Sequence, residues 1–438
     1  MKASRLSRWL VIGLLAAGIF GWSATGQLVY ARLVYLTFFL VVGSMLWANF
    51  SARGLDLKRS ARTMRATVGD VFEERFEIAV RSWTGAVWLE VLNRSSIPQA
   101  AGSRLLTMIG PRQRRFYTAR TMLSRRGAFQ LGPTCLTLGD PFGLFPVTRT
   151  FQADDTLVVL PMSFPIAEFP PPPGILPGGK TIRARTVDVT PHSAGVREYV
   201  PGDPMKRIHW PSTARRNRFM VKEFEQDPQA DIWIFLDAQR SNHFAQTDAI
   251  SNFGDEGLWL WRPKMEMPRD NFEYAVSAAA SLAQYFLADR RSVGLAANTS
   301  RMTVLSAERG VRQTTKVMET LAFLQPDGDL PLLSLVTTQA KLLQIGTGVL
   351  LVTSSNANDI FLSVEYLQRR NLRPLVVLVR PETFGGQGDS EQIAAGLLGR
   401  NIPACLVGLG DDLTTRLTLP VVYFQRSRYS KSNFAVPA

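Results

Sequence analysis

Apolar residues along this chain follow three different rhythms, and each rhythm marks a region. At the start they are nearly continuous. Trp9 to Ala24 and Leu33 to Phe50 carry no charged residue, and only Arg32 is charged between them. Each run is close to the ~17 residues that a membrane-crossing helix requires, and flanking residues extend it towards ~20. A signal peptide, with Lys2, Arg5 and Arg8 as its basic region, is the rival reading of the first run. The second run follows so closely that two transmembrane helices over residues 1–52, a helical hairpin, are the better account.

From Ala66 to about Leu160 the period is two. Val68-Gly69-Asp70 reads as a turn. Phe76, Ile78 and Val80 then alternate with Glu77 and Arg81, and Val87, Leu89 and Val91 alternate with Trp88 and Glu90. Arg114 to Leu123, Gly127 to Leu131 and Cys135 to Leu138 continue the pattern, with Gly132-Pro133 as a turn. Short alternating runs between turn residues predict a small antiparallel β-sandwich domain over residues 66–160. Asp140-Pro141-Phe142-Gly143-Leu144-Phe145 forms a turn-rich linker within it. Pro161 to Gly179 is rich in proline and glycine, with Pro170 to Pro173 in series. Such a segment is extended and semi-rigid, a spacer or a strap across a surface. It opens a linker region over 161–228.

After Asp227 the third rhythm begins. Ile232 to Leu236 is a continuous apolar run, suited to a strand buried on both faces. Asp270 or Asn271 caps a helix, with Glu273 set back in capping-box fashion and Phe272, Val276, Ala279, Ala283 and Phe286 on one stripe. Strands follow at Val293 to Ala297 and Met302 to Leu305, and helices at Val311 to Leu324 and Leu332 to Leu343. The alternation ends with strands at Val349 to Thr353, Pro374 to Val379 and Ala404 to Gly408, separated by helices at Phe361 to Arg369 and Gln392 to Leu398. Strands alternating with helices predict a parallel sheet covered on both faces. Trp259, Trp261 and Pro263 fall in an insertion before the first long helix.

Composition sharpens this picture. A chain of 438 residues has room for two or three domains, and 46% hydrophobic content fits a soluble body joined to a membrane part. Lys2, Arg5 and Arg8 precede the first apolar run, and Arg53, Lys58, Arg59, Arg62 and Arg65 follow the second. The positive-inside rule then places both ends in the cytoplasm of a bacterial inner membrane, with a cytosolic body. Net charge is +14, and Arg94, Arg104, Arg112, Arg114, Arg115, Arg120, Arg125 and Arg126 run without an acid between Glu90 and Asp140. Anionic lipid attracts such a surface by about 1 kcal/mol per nearby basic residue. No zinc-finger, helix-turn-helix or RNA-binding signature accompanies the charge, so no specific nucleic acid is expected. Cys135 and Cys405 lie far apart, and with three histidines they match no metal-ligand spacing.

Val196 to Gln226 interleaves both charge signs with aromatics, and Pro201-Gly202-Asp203-Pro204 interrupts any helix. The stretch reads as a fixed loop displaying ionic and aromatic side chains. Glu198-Tyr199 to Gly202-Asp203, then Ile208-His209-Trp210, Thr213-Ala214-Arg215 and Glu223-Phe224-Glu225, resemble the signature of the bacterial domain-of-unknown-function 58 family. Asp140-Pro141-Phe142-Gly143 resembles a second segment of that family. The resemblance implies a membrane-anchored protein with a von Willebrand factor A-like (Rossmann-like) α/β domain, here over 229–425. It also implies work beside an AAA+ ATPase of the MoxR class in complex or envelope assembly. Its partner-binding or structural positions are Glu198, Tyr199, Gly202, Asp203, Arg207, His209, Trp210, Arg215 and Glu223.

Three chemistries compete at these residues. Glu198 and Asp203 are placed to pair with Arg207 or Arg215, either as an internal staple or as a docking surface for another protein; the planar guanidinium suits carboxylates. His209 beside Ser212 or Asp203 suggests a hydrolase, which requires a nucleophile, a base and an orienting group. A basic lipid- or nucleic-acid-binding surface is the third. In an open α/β sheet, ligands bind at the carboxyl ends of strands. There Asp237-Ala-Gln-Arg-Ser241 resembles a metal-ion-dependent adhesion site with Gln239 in place of its middle serine, and Thr353 ends a later strand where an aspartate is usual. One carboxylate with scattered hydroxyls makes a weak Mg²⁺ site, so no metal, cofactor or catalytic residue is assigned. No phosphate-binding Gly-x4-Gly-Lys-Ser/Thr loop is present, which argues against an ATPase. A non-enzymatic, membrane-anchored interaction or adaptor protein is the expectation.

Overall fold

The computed structural model describes residues 2–169, 193–200, 205, 208–224, 231–246 and 267–418. The serial prolines, Gly202, Asp203, Arg207 and the insertion holding Trp259 and Trp261 lie outside the described residues. Helices α1 (Lys2–Thr25) and α2 (Leu28–Arg53) pack side by side, joined by Gly26-Gln27. Gly21 makes room for the Tyr30 ring across the pair, where a Cβ would collide with it. Both helices are long and apolar enough to cross a membrane. Trp9, Phe20, Leu36 and Phe39 point outward, each more than half exposed.

Ten strands follow: β1 (Leu55–Ala61), β2 (Arg65–Thr67), β3 (Val71–Val80), β4 (Ala86–Asn93), β5 (Arg104–Ile109), β6 (Arg114–Met122), β7 (Gly127–Gln130), β8 (Thr134–Leu138), β9 (Val147–Phe151) and β10 (Thr156–Leu160). They make two antiparallel sheets, ordered β1-β3-β6 and β5-β4-β8-β9, and a mixed sheet, β2-β10-β7. Phe76 and Ile78 from the first sheet share one core with Leu89, Val91, Leu136 and Leu138 from the second. Alternation produces this directly, because every second residue of β3 and β4 faces inward. A smaller core of Phe72, Leu123, Leu131, Leu157 and Val159 lies under the third sheet.

Residues 193–224 hold β11 (Ser193–Glu198), the short helix α3 (Trp210–Arg216) and β12 (Met220–Phe224). The stretch expected to be a loop is therefore strand, helix and strand, with β11 and β12 antiparallel to each other. The third region alternates as expected: β13 (Ile232–Leu236), α4 (Asn271–Ala288), β14 (Val293–Ala297), β15 (Thr303–Glu308), α5 (Val311–Phe323), α6 (Leu332–Gln339), β16 (Gly348–Thr353), α7 (Ala357–Arg369), β17 (Arg373–Val379), α8 (Ser390–Gly399), β18 (Ala404–Val407) and α9 (Leu413–Thr418). Its sheet runs β15-β14-β13-β16-β17-β18, parallel throughout except for β15 at the edge. Ile232, Ile234 and Leu236 face a core shared with α4, α5 and α9, while Phe235 faces one shared with α6, α7 and α8.

The segment after β10 behaves as a strap over α4. Phe164 donates its N–H to Ser281 Oγ at 2.9 Å, Phe169 donates to Tyr285 Oη at 3.2 Å, and the Phe169 ring is buried in the core beside Phe286. One arginine then locks the β region to the α/β region. Arg126 is almost fully buried and donates to the carbonyls of Leu321 and Leu324, at 3.1 and 2.7 Å, at the end of α5. It also pairs with Glu273 and lies over the Phe272 ring. Those carbonyls belong to the last turn of a helix and lack intrahelical donors, so a cation suits them. The capping-box expectation for Glu273 needs correction for this reason. Asp270 is the cap, accepting from Phe272 and Glu273 N–H, while the Glu273 side chain turns to Arg126.

Candidate docking segment and strand-end site

His209 opens α3 at the position that caps it. Its carbonyl accepts from Ser212 and Thr213 N–H, and its own N–H donates to Met220 O at 2.7 Å, which ties the helix to β12. Thr213 Oγ1 donates to His209 O and accepts from Met220 N–H. A helix of seven residues has too few internal bonds to stand alone, so these contacts hold it. None of its residues is buried. Apolar side chains gather here in the open: Trp210 is 63% exposed, Met205 75%, Phe219 55% and Val200 55%. Tyr199 packs edge-on against Phe219 at 6.2 Å.

The ionic expectations resolve in part. Glu198 accepts from Arg218 at 2.9 Å on the open surface, and Arg215 is exposed in the last turn of α3. Arg218 had not been singled out as a partner. Asn217 in the left-handed region sets the turn that returns the chain past it into β12. Glu223 falls within β12. Gly202, Asp203 and Arg207 are outside the described residues. His209 Nδ1 and Ser212 Oγ lie 2.7 Å apart.

At the carboxyl ends of the parallel strands the structure builds a second site around Asp237. Burial pushes this carboxyl above the ordinary aspartate range, and four donors act against that shift. Thr353 Oγ1 donates at 2.7 Å, Asn298 Nδ2 at 3.1 Å, Gln239 N–H at 3.1 Å and Asn242 Nδ2 at 3.1 Å. Asp237 and Thr353, both singled out from the sequence, are brought together here. Ser241 does not join them; its hydroxyl donates to Asn242 Oδ1. Asp359, the next carboxylate in the chain after Thr353, accepts from Leu332 and Leu333 N–H at the start of α6.

Three asparagines were missed. Asn298 accepts from Ala238 N–H at 2.6 Å, which fixes its amide so that the nitrogen faces Asp237. Asn271 is buried and donates to Asn242 O and Ser354 Oγ. The contacts of Asn271 and Asn298 span roughly thirty to eighty residues of chain, while Asn242, the third, lies 5 residues from Asp237; a lone asparagine carries no periodic signal. Amide and hydroxyl donors occupy both oxygens of the Asp237 carboxylate. A Mg²⁺ ion needs about six oxygen ligands, and the donors present do not fit that demand as they stand. No cluster of three or more His, Cys, Asp or Glu side chains arises among the described residues.

Asp237 borders a cavity of about 10 Å³ closed by Asn271, Phe272 and Pro326. Beside it lies a groove of about 610 Å³ between α7 and α8, reached by Asn242, Phe244, Ser355, Phe361 and Ser390. The asparagine and aspartate at its mouth, Asn356 and Asp389, cap the two helices. Serine, asparagine and glutamine side chains, the Asp389 carboxylate and two aromatic rings line this groove.

Comparison with known proteins now adds one firm statement. The family model described as "Protein of unknown function DUF58" matches residues 195–252, so the resemblance read from residues 196–226 is borne out. A Bacillus subtilis (strain 168) protein, described as "Uncharacterized protein YeaD", is 31% identical over 169 residues. That alignment spans 37% of this chain and 40% of the relative. Among solved structures, a CARDB domain from Pyrococcus furiosus aligns with 24% of this chain and 91% of its own, at 11% identity and a TM-score of 0.18. A GH20 exo-β-N-acetylglucosaminidase from Vibrio harveyi aligns with 74% of this chain and 57% of its own, at 7% identity and a TM-score of 0.17.

Proposed function

We propose that this chain, a member of the DUF58 family through its segment at 195–252, is a non-enzymatic, membrane-anchored adaptor that docks another protein on α3. The observation that carries this reading is the exposed cluster of Trp210, Met205, Phe219 and Val200 around a helix with no buried residue. Aromatic residues exposed in a group mark interaction surfaces, and tryptophan and arginine dominate binding energy at them. Arg215, Arg216 and Arg218 surround the cluster, so the partner surface is apolar at its centre and acidic at its rim. An AAA+ ATPase of the MoxR class is the partner that the family resemblance suggests.

In this reading residues 1–52 anchor the chain in the bacterial inner membrane with the body in the cytoplasm. Residues 66–160 form a β-sandwich domain, 161–228 the linker and docking segment, and 229–425 a von Willebrand factor A-like domain. The strand order of the large sheet supports that last assignment: its first strand is central, the next two lie to one side with the edge strand reversed, and the last three lie to the other. Trp210→Ala in the full chain, recovered from membranes, is expected to lose its co-purifying partner. A loss of ~2 kcal/mol, roughly thirty-fold in affinity, is the scale for such a residue. An unchanged set of partners sinks the adaptor reading.

The His209–Ser212 contact supports a second reading, a hydrolase with Ser212 as nucleophile and His209 as base. Ester turnover that Ser212→Ala abolishes favours it over the adaptor. Failure of the purified chain to turn over any ester retires it.

A further inference from the structure

Strand registers gather three loops at one end of the β region, the end from which the helices leave. Val80 lies opposite Leu55, two residues beyond α2, and Ala79 lies opposite Arg114. Ala86 lies opposite Ile109, and Leu138 lies opposite both Leu89 and Val147. Loops 81–85, 110–113 and 139–146 therefore share this end. Hydrogen bonds fasten two of them, 81–85 and 139–146, to the helices or their ends, and Arg112 N–H donates to Ser82 O to join the third to the first. Arg81 N–H donates to Gly54 O at 2.7 Å, Ser51 Oγ meets Thr84 Oγ1 at 2.7 Å, and Arg8 Nε donates to Leu144 O at 2.7 Å.

What this end displays is unusual for a water-facing surface. Trp83 is 72% exposed, Met108 75% and Phe142 62%. Phe142 is held out deliberately. Asp140 is fully buried, and its carboxylate accepts from Phe142 N–H at 2.9 Å and Phe145 N–H at 2.7 Å. Gly143 adopts a φ of +68° to close the turn. Exposed arginines stand among these side chains: Arg53, Arg112 and Arg115, together with Arg81 and Arg114, which pair with Asp56 and Glu77. Apolar tips set among guanidinium groups match the boundary between lipid headgroups and acyl chains.

We propose that this rim rests on anionic lipid of the bilayer that α1 and α2 enter, with Trp83 and Phe142 seated at the headgroup level. The inference rests on the membrane-anchor reading above and goes beyond it, because a tether alone leaves the body free to stand off. The contact holds the β region end-on against the surface. Arg94 and Arg126, which belong to the same acid-free run, take no part: Arg94 lies at the opposite end, and Arg126 is buried against α5.

The test uses the full chain in vesicles of phosphatidylcholine, with and without phosphatidylglycerol. Single cysteines at Trp83→Cys, Phe142→Cys, Leu14→Cys and Asp154→Cys carry a spin label; Cys135 and Cys405 are buried, and the unsubstituted chain sets the background. Leu14 reports on α1, and Asp154 lies in the loop after β9, at the far end. The expected result is that labels at 83 and 142 meet a water-soluble relaxation agent several-fold less than the label at 154. That protection deepens with phosphatidylglycerol and is lost when Arg112→Glu and Arg115→Glu are combined. Lipid exposure at Leu14 with 83 and 142 as wet as 154 overturns the rim while leaving the anchor intact. Water exposure at Leu14 overturns the anchor itself. Protection at 83 and 142 that persists in detergent without lipid assigns the face to a protein and also overturns the proposal.

Discussion

Glu74 and Arg59 form an ion pair inside the β region, with the carboxylate side chain fully buried and the guanidinium over the Phe76 ring. Burial raises the Glu74 pKa, and Arg59 acts in the opposite direction. Removing one partner strands the other, which costs ~3–5 kcal/mol at buried pairs. Glu74→Gln is therefore expected to lower the unfolding free energy by that amount in denaturant titration, while Glu77→Gln, at a half-exposed pair, changes it little. Asp237 sets a pH dependence instead. Its folded value lies above its unfolded one, so the unfolded chain releases its proton first as pH rises. The stability tied to this carboxyl is fully present below the ordinary aspartate range and falls as pH climbs towards the raised value. Asp237→Asn is expected to remove that fall from a plot of unfolding free energy against pH. An unaltered slope would show that the four donors just cancel the effect of burial. Asp237 itself was legible as a strand-end residue, whereas Asn271 and Asn298 were not, since their roles depend on contacts between distant loops; Asn242 lies close to Asp237 in the chain but carries no periodic signal.

At the scale of elements, the interior of the large sheet was legible because β13, β14, β16 and β17 are buried on both faces and so lack polar interruption. Of the strands missed, β1, β2, β5 and β9 lie at sheet edges, with β5 and β9 leaving most residues open to solvent, while β10 is central to a short sheet and β11 and β12 pair only with each other among the described residues. An edge strand with neither face covered has no alternation to read. The α4 cap gives an element-level prediction. Asp270 accepts from two backbone N–H groups at the start of that helix, so Asp270→Ala should cost ~1 kcal/mol, read as a lowered Tm. The same turn carries Asn271 and Phe272, which line the cavity beneath Asp237. Loosening it should also disturb the Asp237 donors. Nothing in the sequence marked α3 as a helix, since Pro211 sits at its second position and prolines precede it; proline in a first turn is tolerated there.

For the whole molecule, the decisive residue is Arg126. Sequence alone counted it among surface charges facing lipid, yet it is buried between the two regions and grips the end of α5. Arg126→Ala leaves two carbonyls and the Glu273 carboxylate without their cation, a loss of ~3 kcal/mol or more. Two separate thermal transitions in calorimetry are expected to replace a single coupled one. A single transition at the wild-type Tm would refute the clamp. Arg65 with Glu319 adds an exposed pair across the same seam, of minor weight.

That clamp changes where the chain can be divided. The proline-rich stretch looks like the natural place to cut, because composition shifts there and few contacts are expected of it. A fragment begun after it, however, would carry a bare helix end and an unneutralised acid on one face, and would lose the Phe164 and Phe169 strap from α4. Such a piece is poorly suited to crystallisation or binding assays: its exposed seam would attract non-native contacts and mimic a docking surface that the intact chain does not possess. The smallest trustworthy reagent keeps the β region and the α/β region together and trims only the helices.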